Sequence, residues 1–121
     1  MESYKELLVY QKAYELSLKI YKVTECYPRG ELYGLTSQMR RSAVSIPCNI
    51  AEGYRRGHRK EYIQFLHIAQ GSCGELETLI SLSKDLTFLN EEAYRALYDL
   101  QDGISKLLRG LIKSLDRLQH A

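Results

Sequence analysis

The sequence predicts an all-α fold, an antiparallel up-down-up-down four-helix bundle with its second helix kinked at Pro47. Three observations carry the fold class. Apolar residues recur at the alternating four-three spacing of an amphipathic helix in four separate stretches. Short segments marked by Pro, Gly or Asn separate those stretches, as short loops do between neighbouring helices of a bundle. No strand-like alternation of useful length interrupts them, and there are no internal repeats or low-complexity tracts.

The first helix is expected from Glu6 to about Cys26, with Val9, Ala13, Leu16, Ile20 and Val23 as its buried seam. A second apolar row, Leu7, Tyr10, Tyr14, Leu18 and Tyr21, lies about 100° around the same helix. One seam does not need that much apolar surface, so Tyr10, Tyr14, Leu18 and Tyr21 are the candidate interface with a second subunit. Pro28-Arg29-Gly30 ends this helix, because proline disfavours α geometry in the residue before it.

Thr36 is the expected cap of the second helix, whose apolar face is Leu35, Met39, Ala43, Ile46, Ile50 and Tyr54. Pro47 falls inside that pattern. It removes one backbone hydrogen bond and crowds the carbonyl of residue 43, at a cost of about 3 kcal/mol, so the helix should bend there. Gly53 and Gly57 bracket a basic segment and mark the end of the helix.

The third helix should run from Arg59 to Leu86 along Tyr62, Leu66, Ala69, Cys73, Leu76 and Ile80. Its small-residue middle, Ala69 to Gly74, suggests close approach to the second helix, since each glycine costs about 1 kcal/mol of helix propensity. Asn90 is the expected cap of the fourth helix, with Glu91 and Glu92 at its positive end. Leu97, Leu100, Ile104, Leu107, Leu111, Leu115 and Leu118 form its seam.

With 121 residues, 45% of them hydrophobic and 26% charged, the chain suits one domain, 1–121, built on one core. The N-terminus lacks the pattern of a secretory signal and no run reaches the roughly 18 apolar residues that cross a bilayer. A cytoplasmic protein with no membrane contact is expected. Cys26, Cys48 and Cys73 have no metal-ligand spacing and read as reduced thiols, with Cys48 and Cys73 as small buried hydrophobes.

A search for chemistry leaves no residue set that motivates an enzyme. The Glu-x-x-His pairs of a di-metal bundle are missing, and His58, His67 and His120 have no triad-like spacing, His67 reading as a surface residue. Phosphate-cradling glycine loops are missing too. No metal, cofactor or small-molecule substrate is expected.

Two polar features remain. Arg41, Ser45, Asn49, Glu52 and Arg56 form a stripe on the second helix, either a solvated face or the polar lining of a groove in an oligomer. Arg40, Arg41, Arg55, Arg56, Arg59 and Lys60 form a basic set on a chain whose net charge is only +2. A solvated loop is the plain reading. The sharper one is nucleic-acid binding, with the cations on phosphates and Tyr54 stacking on an unpaired base.

The run Gln38-Met39-Arg40-Arg41-Ser42-Ala43-Val44-Ser45-Ile46-Pro47-Cys48-Asn49-Ile50-Ala51-Glu52-Gly53 resembles the QLRRAAxSIPxNIAEG signature of a bacterial four-helix-bundle family. Its members are encoded in intervening sequences of 23S rRNA genes. Phe65 to Leu79 is similar to the family's FLxIAxGSxxELET segment, and Leu8-Val9-Tyr10-Gln11-Lys12-Ala13 to its opening. Gln70 stands where the pattern often has a basic residue, and Cys48 where it has a small one.

The resemblance implies a bundle that assembles into a homopentameric barrel and has no known enzymatic activity. A relative, the accessory protein of diversity-generating retroelements, implies by its basic pentamer an engagement with nucleic acid. Glu52 and Glu75 match the glutamates of the AEG and GSxxE motifs; with Asn49 they are expected to serve structure, pairing with Arg40, Arg41 or backbone groups near Pro47. The expected function is therefore a non-enzymatic, oligomeric module that engages structured RNA or a ribonucleoprotein through the basic set. The alternative is a protein-protein adaptor or structural oligomer that works through the tyrosine-rich face.

Overall fold

A computed structural model describes residues 3–119. A 3-10 turn, Tyr4–Glu6, leads into α1, Leu8–Thr24, and a second such turn, Arg29–Glu31, precedes α2, Leu35–Arg55. Two longer helices follow, α3, Arg59–Asp85, and α4, Glu91–Gln119. Each helix packs on its neighbours in sequence and α4 closes the ring on α1, while the diagonal pairs stay apart. That is the square section of an antiparallel four-helix bundle, and no strand occurs among the described residues.

The seams expected for the first three helices are the core. Ala13, Leu16 and Ile20 of α1, Met39, Ala43, Ile46 and Ile50 of α2, and Leu66, Ala69, Cys73, Leu76 and Ile80 of α3 are sealed from solvent. The α4 seam departs from expectation. Its deepest line is Leu97, Gln101, Ile104 and Leu108, whereas Leu100, Leu107, Leu111 and Leu115 are only half-buried and Leu118 is exposed. The leucines occupy two adjacent rows of the helix, and the bundle axis runs nearer the row that carries Gln101.

The helix ends follow local chemistry. Asn90 caps α4 as expected, its Oδ1 accepting the Ala93 N–H at 2.7 Å. Thr36 does not cap α2. Gly34 holds that position, the Glu31 carboxylate accepts the Leu35 N–H at 3.2 Å, and Thr36 is buried. A carboxylate there meets the positive end of the helix dipole.

Pro47 is buried and does not divide α2. Gly53 lies inside α2 rather than ending it, and the chain turns instead at Gly57, whose φ of +76° is left-handed backbone that glycine tolerates. The tight approach of α2 to α3 is also at Gly53, where an added Cβ would sit 2.8 Å from the Phe65 Cβ and 3.2 Å from the Tyr62 carbonyl. The glycines of α3 do not make it. Gly71 and Gly74 have open space where a Cβ would stand.

Candidate nucleic-acid interface

The bundle divides the expected basic set into two groups. Arg40 and Arg41 lie in the N-terminal third of α2, while Arg55 and Arg56 end it and Arg59 and Lys60 open α3. At 1.5 Å per residue, Arg41 and Arg55 are about 21 Å apart along the helix.

Arg40 is committed to the fold. Its Nε donates to Thr24 Oγ1 at 2.9 Å, an Nη donates to the Tyr21 carbonyl at 3.5 Å, and the guanidinium lies 4.6 Å from the centre of the Tyr21 ring. Thr24 passes its own proton to the Ile20 carbonyl at 2.7 Å, so a cation and a hydroxyl together close the negative end of α1. Arg41, one residue on, is exposed and forms no ion pair among the described residues.

At the junction of α2 and α3, each cation has a different setting. An Nη of Arg55 donates to the Tyr4 hydroxyl at 3.1 Å, with the guanidinium 4.9 Å from the centre of that ring. Arg56 pairs with Glu52 at 2.8 Å and lies 5.0 Å from the Phe65 ring centre. Arg59 and Lys60 are exposed and carry no ion pair among the described residues. Tyr54 is half-buried, edge-on to Tyr4 and Tyr62 with ring centres 6.5 and 5.9 Å away.

The polar stripe of α2 faces α3 in part. Ser45 Oγ accepts from Asn49 Nδ2 at 3.0 Å and from Ser72 Oγ of α3 at 2.8 Å, and Asn49 also donates to the Ser45 carbonyl at 2.8 Å. Both bonds of Asn49 thus stay within α2. Glu52 pairs with Arg56 and not with Arg40 or Arg41, because Arg56 sits one helical turn away on the same face. Glu75 is exposed on α3 and makes no ion pair among the described residues.

The second apolar row of α1 emerges at the surface: Tyr14, Leu18 and Tyr21 are 52%, 60% and 44% exposed, and Tyr10 is half-buried. It does not stand alone. Tyr4, Tyr10, Tyr14 and Tyr21 wall one side of a hollow of about 360 Å³ between α1 and α2, with Val44, Pro47, Cys48 and Ala51 on the other. Sequence reasoning missed Tyr4, which lies before the helical periodicity begins, and Tyr33 and Val44, which line an adjoining hollow of about 530 Å³ together with Tyr21 and Arg41.

Cys48 is exposed in the first hollow, contrary to its reading as a buried hydrophobe, because it lies off the Ile46–Ile50 line that meets the core. Cys73 is buried as expected, and burial pushes its thiol up to about 12. His67 is exposed as expected, while His120 lies outside the described residues. Among the described residues no group of three or more His, Cys, Asp or Glu side chains is arranged to hold a metal. No helix is long and apolar enough to cross a membrane.

These features define a class, the small antiparallel helical bundle that displays arginines and tyrosines on its outer surface. Within that class, the chain belongs to the 23S rRNA-intervening sequence protein family, which matches it over residues 5–110. It is similar to a crystal structure from Bacteroides thetaiotaomicron, a protein of unknown function from the S23 ribosomal protein family. The two chains are 28% identical, the match covers 88% of this chain and 99% of that one, and the TM-score is 0.79. No curated protein matches the chain.

Proposed function

We propose that the protein is a non-enzymatic, oligomeric binding module of the cytoplasm that engages structured RNA through the junction of α2 and α3. The observation that carries this reading is the set of cations around Gly57. Arg59 and Lys60 project without ion pairs among the described residues, and Arg55 is held by a tyrosine rather than neutralised by a carboxylate. Such groups meet phosphate oxygens at little cost, and several copies in an oligomer add their fields. Cys26, Cys48 and Cys73 are free thiols, which suits a reducing compartment.

The test is binding of a folded 23S rRNA fragment across a salt series. Replacing Arg55, Arg59 and Lys60 with alanine should weaken binding and lower the salt slope by about one for each phosphate contact removed, with the bundle still folded. Unchanged affinity in that variant removes the junction as the site.

A second reading, contact between copies of the chain or with a partner protein, is favoured by the exposure of Tyr14, Leu18 and Tyr21. Tyr14→Glu with Tyr21→Glu should then split the assembly in native mass spectrometry. A particle of unchanged mass sinks that role for α1.

A further inference from the structure

The side of the bundle formed by α3 and α4 lies opposite the α1–α2 side, because diagonal helices do not touch. A groove of about 310 Å³ runs along it, away from the apolar row of α1. Half-buried Ile63 of α3 and Ile112 of α4 form its floor, and His67 and Gln70 of α3 face Arg109 and Lys113 of α4 across it. Asp116 is the one carboxylate that lines it among the described residues. Arg109 and Lys113 are exposed and have no ion pair among the described residues. With Arg117 they stand one helical turn apart on α4, a row of cations about 12 Å long. Lys60 and His67 share a face of α3, two turns apart. The groove leads to the junction, where Leu115 of α4 shares a smaller hollow with Gly57, His58 and Arg59.

We propose that the α3–α4 groove is a second phosphate-binding site, along which the backbone of the RNA held at the junction continues. The inference rests on the RNA reading above and assigns the contact on this face to phosphates rather than bases. No tyrosine or phenylalanine lines the groove among the described residues, so a base has no ring to stack on. Structured RNA turns its phosphates outward, and cations on successive helical turns meet them without reading sequence. The row from Arg109 to Arg117 spans about four nucleotides of a duplex strand. The centres of subunit interfaces are poor in charge, whereas this rim is cationic, so the groove stays open when copies meet through α1.

Lysines report on the two sites separately. Lys60 belongs to the junction, Lys113 to the groove, and Lys84, about 25 Å along α3 from His67, to neither. The experiment acetylates the full chain in its native assembly with N-hydroxysuccinimidyl acetate, with and without the folded 23S rRNA fragment, and reads each lysine by mass spectrometry. The RNA at ten times its Kd should slow acetylation of Lys113 about tenfold and leave Lys84 unchanged. Arg109→Gln with Lys113→Gln, both at exposed positions, should weaken binding of that RNA about tenfold at physiological salt. The same variant should lower the salt slope by about two and keep the urea midpoint of the unsubstituted protein.

If the RNA protects Lys60 while the Lys113 rate and the salt slope of the glutamine variant stay unaltered, the groove proposal falls and the junction stands. If Lys113 is protected and Lys60 is not, the junction falls and the groove carries the RNA. If neither lysine is protected, both fall. Poly-glutamate at equal charge concentration should protect Lys113 far less than the RNA does; equal protection makes the groove a site for acidic protein and overturns the proposal. If Lys113 resists acetylation before any RNA is added, another copy covers the groove and the proposal is overturned.

Discussion

The hydroxyl of Ser17 on α1 lies 3.0 Å from the carbonyl oxygen of Ala43 on α2, the group that Pro47, four residues on, leaves without its helical donor. A side chain of one helix thus completes the backbone of its neighbour. The same hydroxyl lies 3.2 Å from its own Ala13 carbonyl, so its single proton is shared. Ser17→Ala should cost about 1 kcal/mol, because a partly buried carbonyl then loses its donor. In a Pro47→Ala background the new N–H serves Ala43, so Ser17→Ala should cost only a few tenths, an interaction energy of about 0.5–1 kcal/mol. Urea unfolding of the four variants measures it, and equal costs in both backgrounds would refute the link.

Glycines in α2 and α3 should respond to the same substitution with opposite signs. Gly53→Ala places a methyl 2.8 Å from the Phe65 Cβ and 3.2 Å from a backbone oxygen, atoms that cannot swing aside, and should destabilise by about 1–3 kcal/mol. Gly71→Ala and Gly74→Ala meet open space and should each stabilise by up to about 1 kcal/mol through helix propensity. Shifts in the urea midpoint decide between them. A loss of stability at Gly71 or Gly74 that depends on protein concentration would mean that this face of α3 is covered in the assembly.

Gln101 is the polar residue that the α4 pattern hides. It is 1% exposed, and its Oε1 has no hydrogen-bond partner among the described residues. Gln101→Leu should stabilise the bundle by about 1 kcal/mol, since an unpaired buried acceptor is removed and the volume is nearly kept. A destabilised variant in thermal and urea unfolding would show that the amide nitrogen contributes more than the oxygen costs.

What could be read in the sequence divides along the same line. The seams of α1, α2 and α3 were legible because each helix offers one continuous apolar row, and the cap at Asn90 because capping needs only residues three apart. In α4 leucines fill two rows, so periodicity alone does not select the line through Gln101. The arginines were legible as a set but not as individuals. Arg40 and Arg41 look alike in sequence, yet one reaches 16 residues back to Thr24 and the other projects from the surface. Arg55 finds Tyr4 across 51 residues, a partner set by how α1 packs on α2 and by no local pattern.

Alkaline pH should unfold the protein through groups that the fold keeps protonated. Burial pushes the Tyr62 phenol from 10.0 up to about 12 and the Cys73 thiol from 9.0 up to about 12, and it raises Tyr27 as well. The unfolded chain releases these protons at lower pH than the folded one, so between the two values it binds fewer protons and stability falls as pH rises. Stability from these groups is therefore fully present below pH 9 and is lost between pH 9 and 12. Urea unfolding across that range should show a steady decline, flattened above pH 10 by Tyr62→Phe and from pH 9 by Cys73→Ala. An undiminished decline in the doubly substituted protein would assign the alkaline loss to other groups.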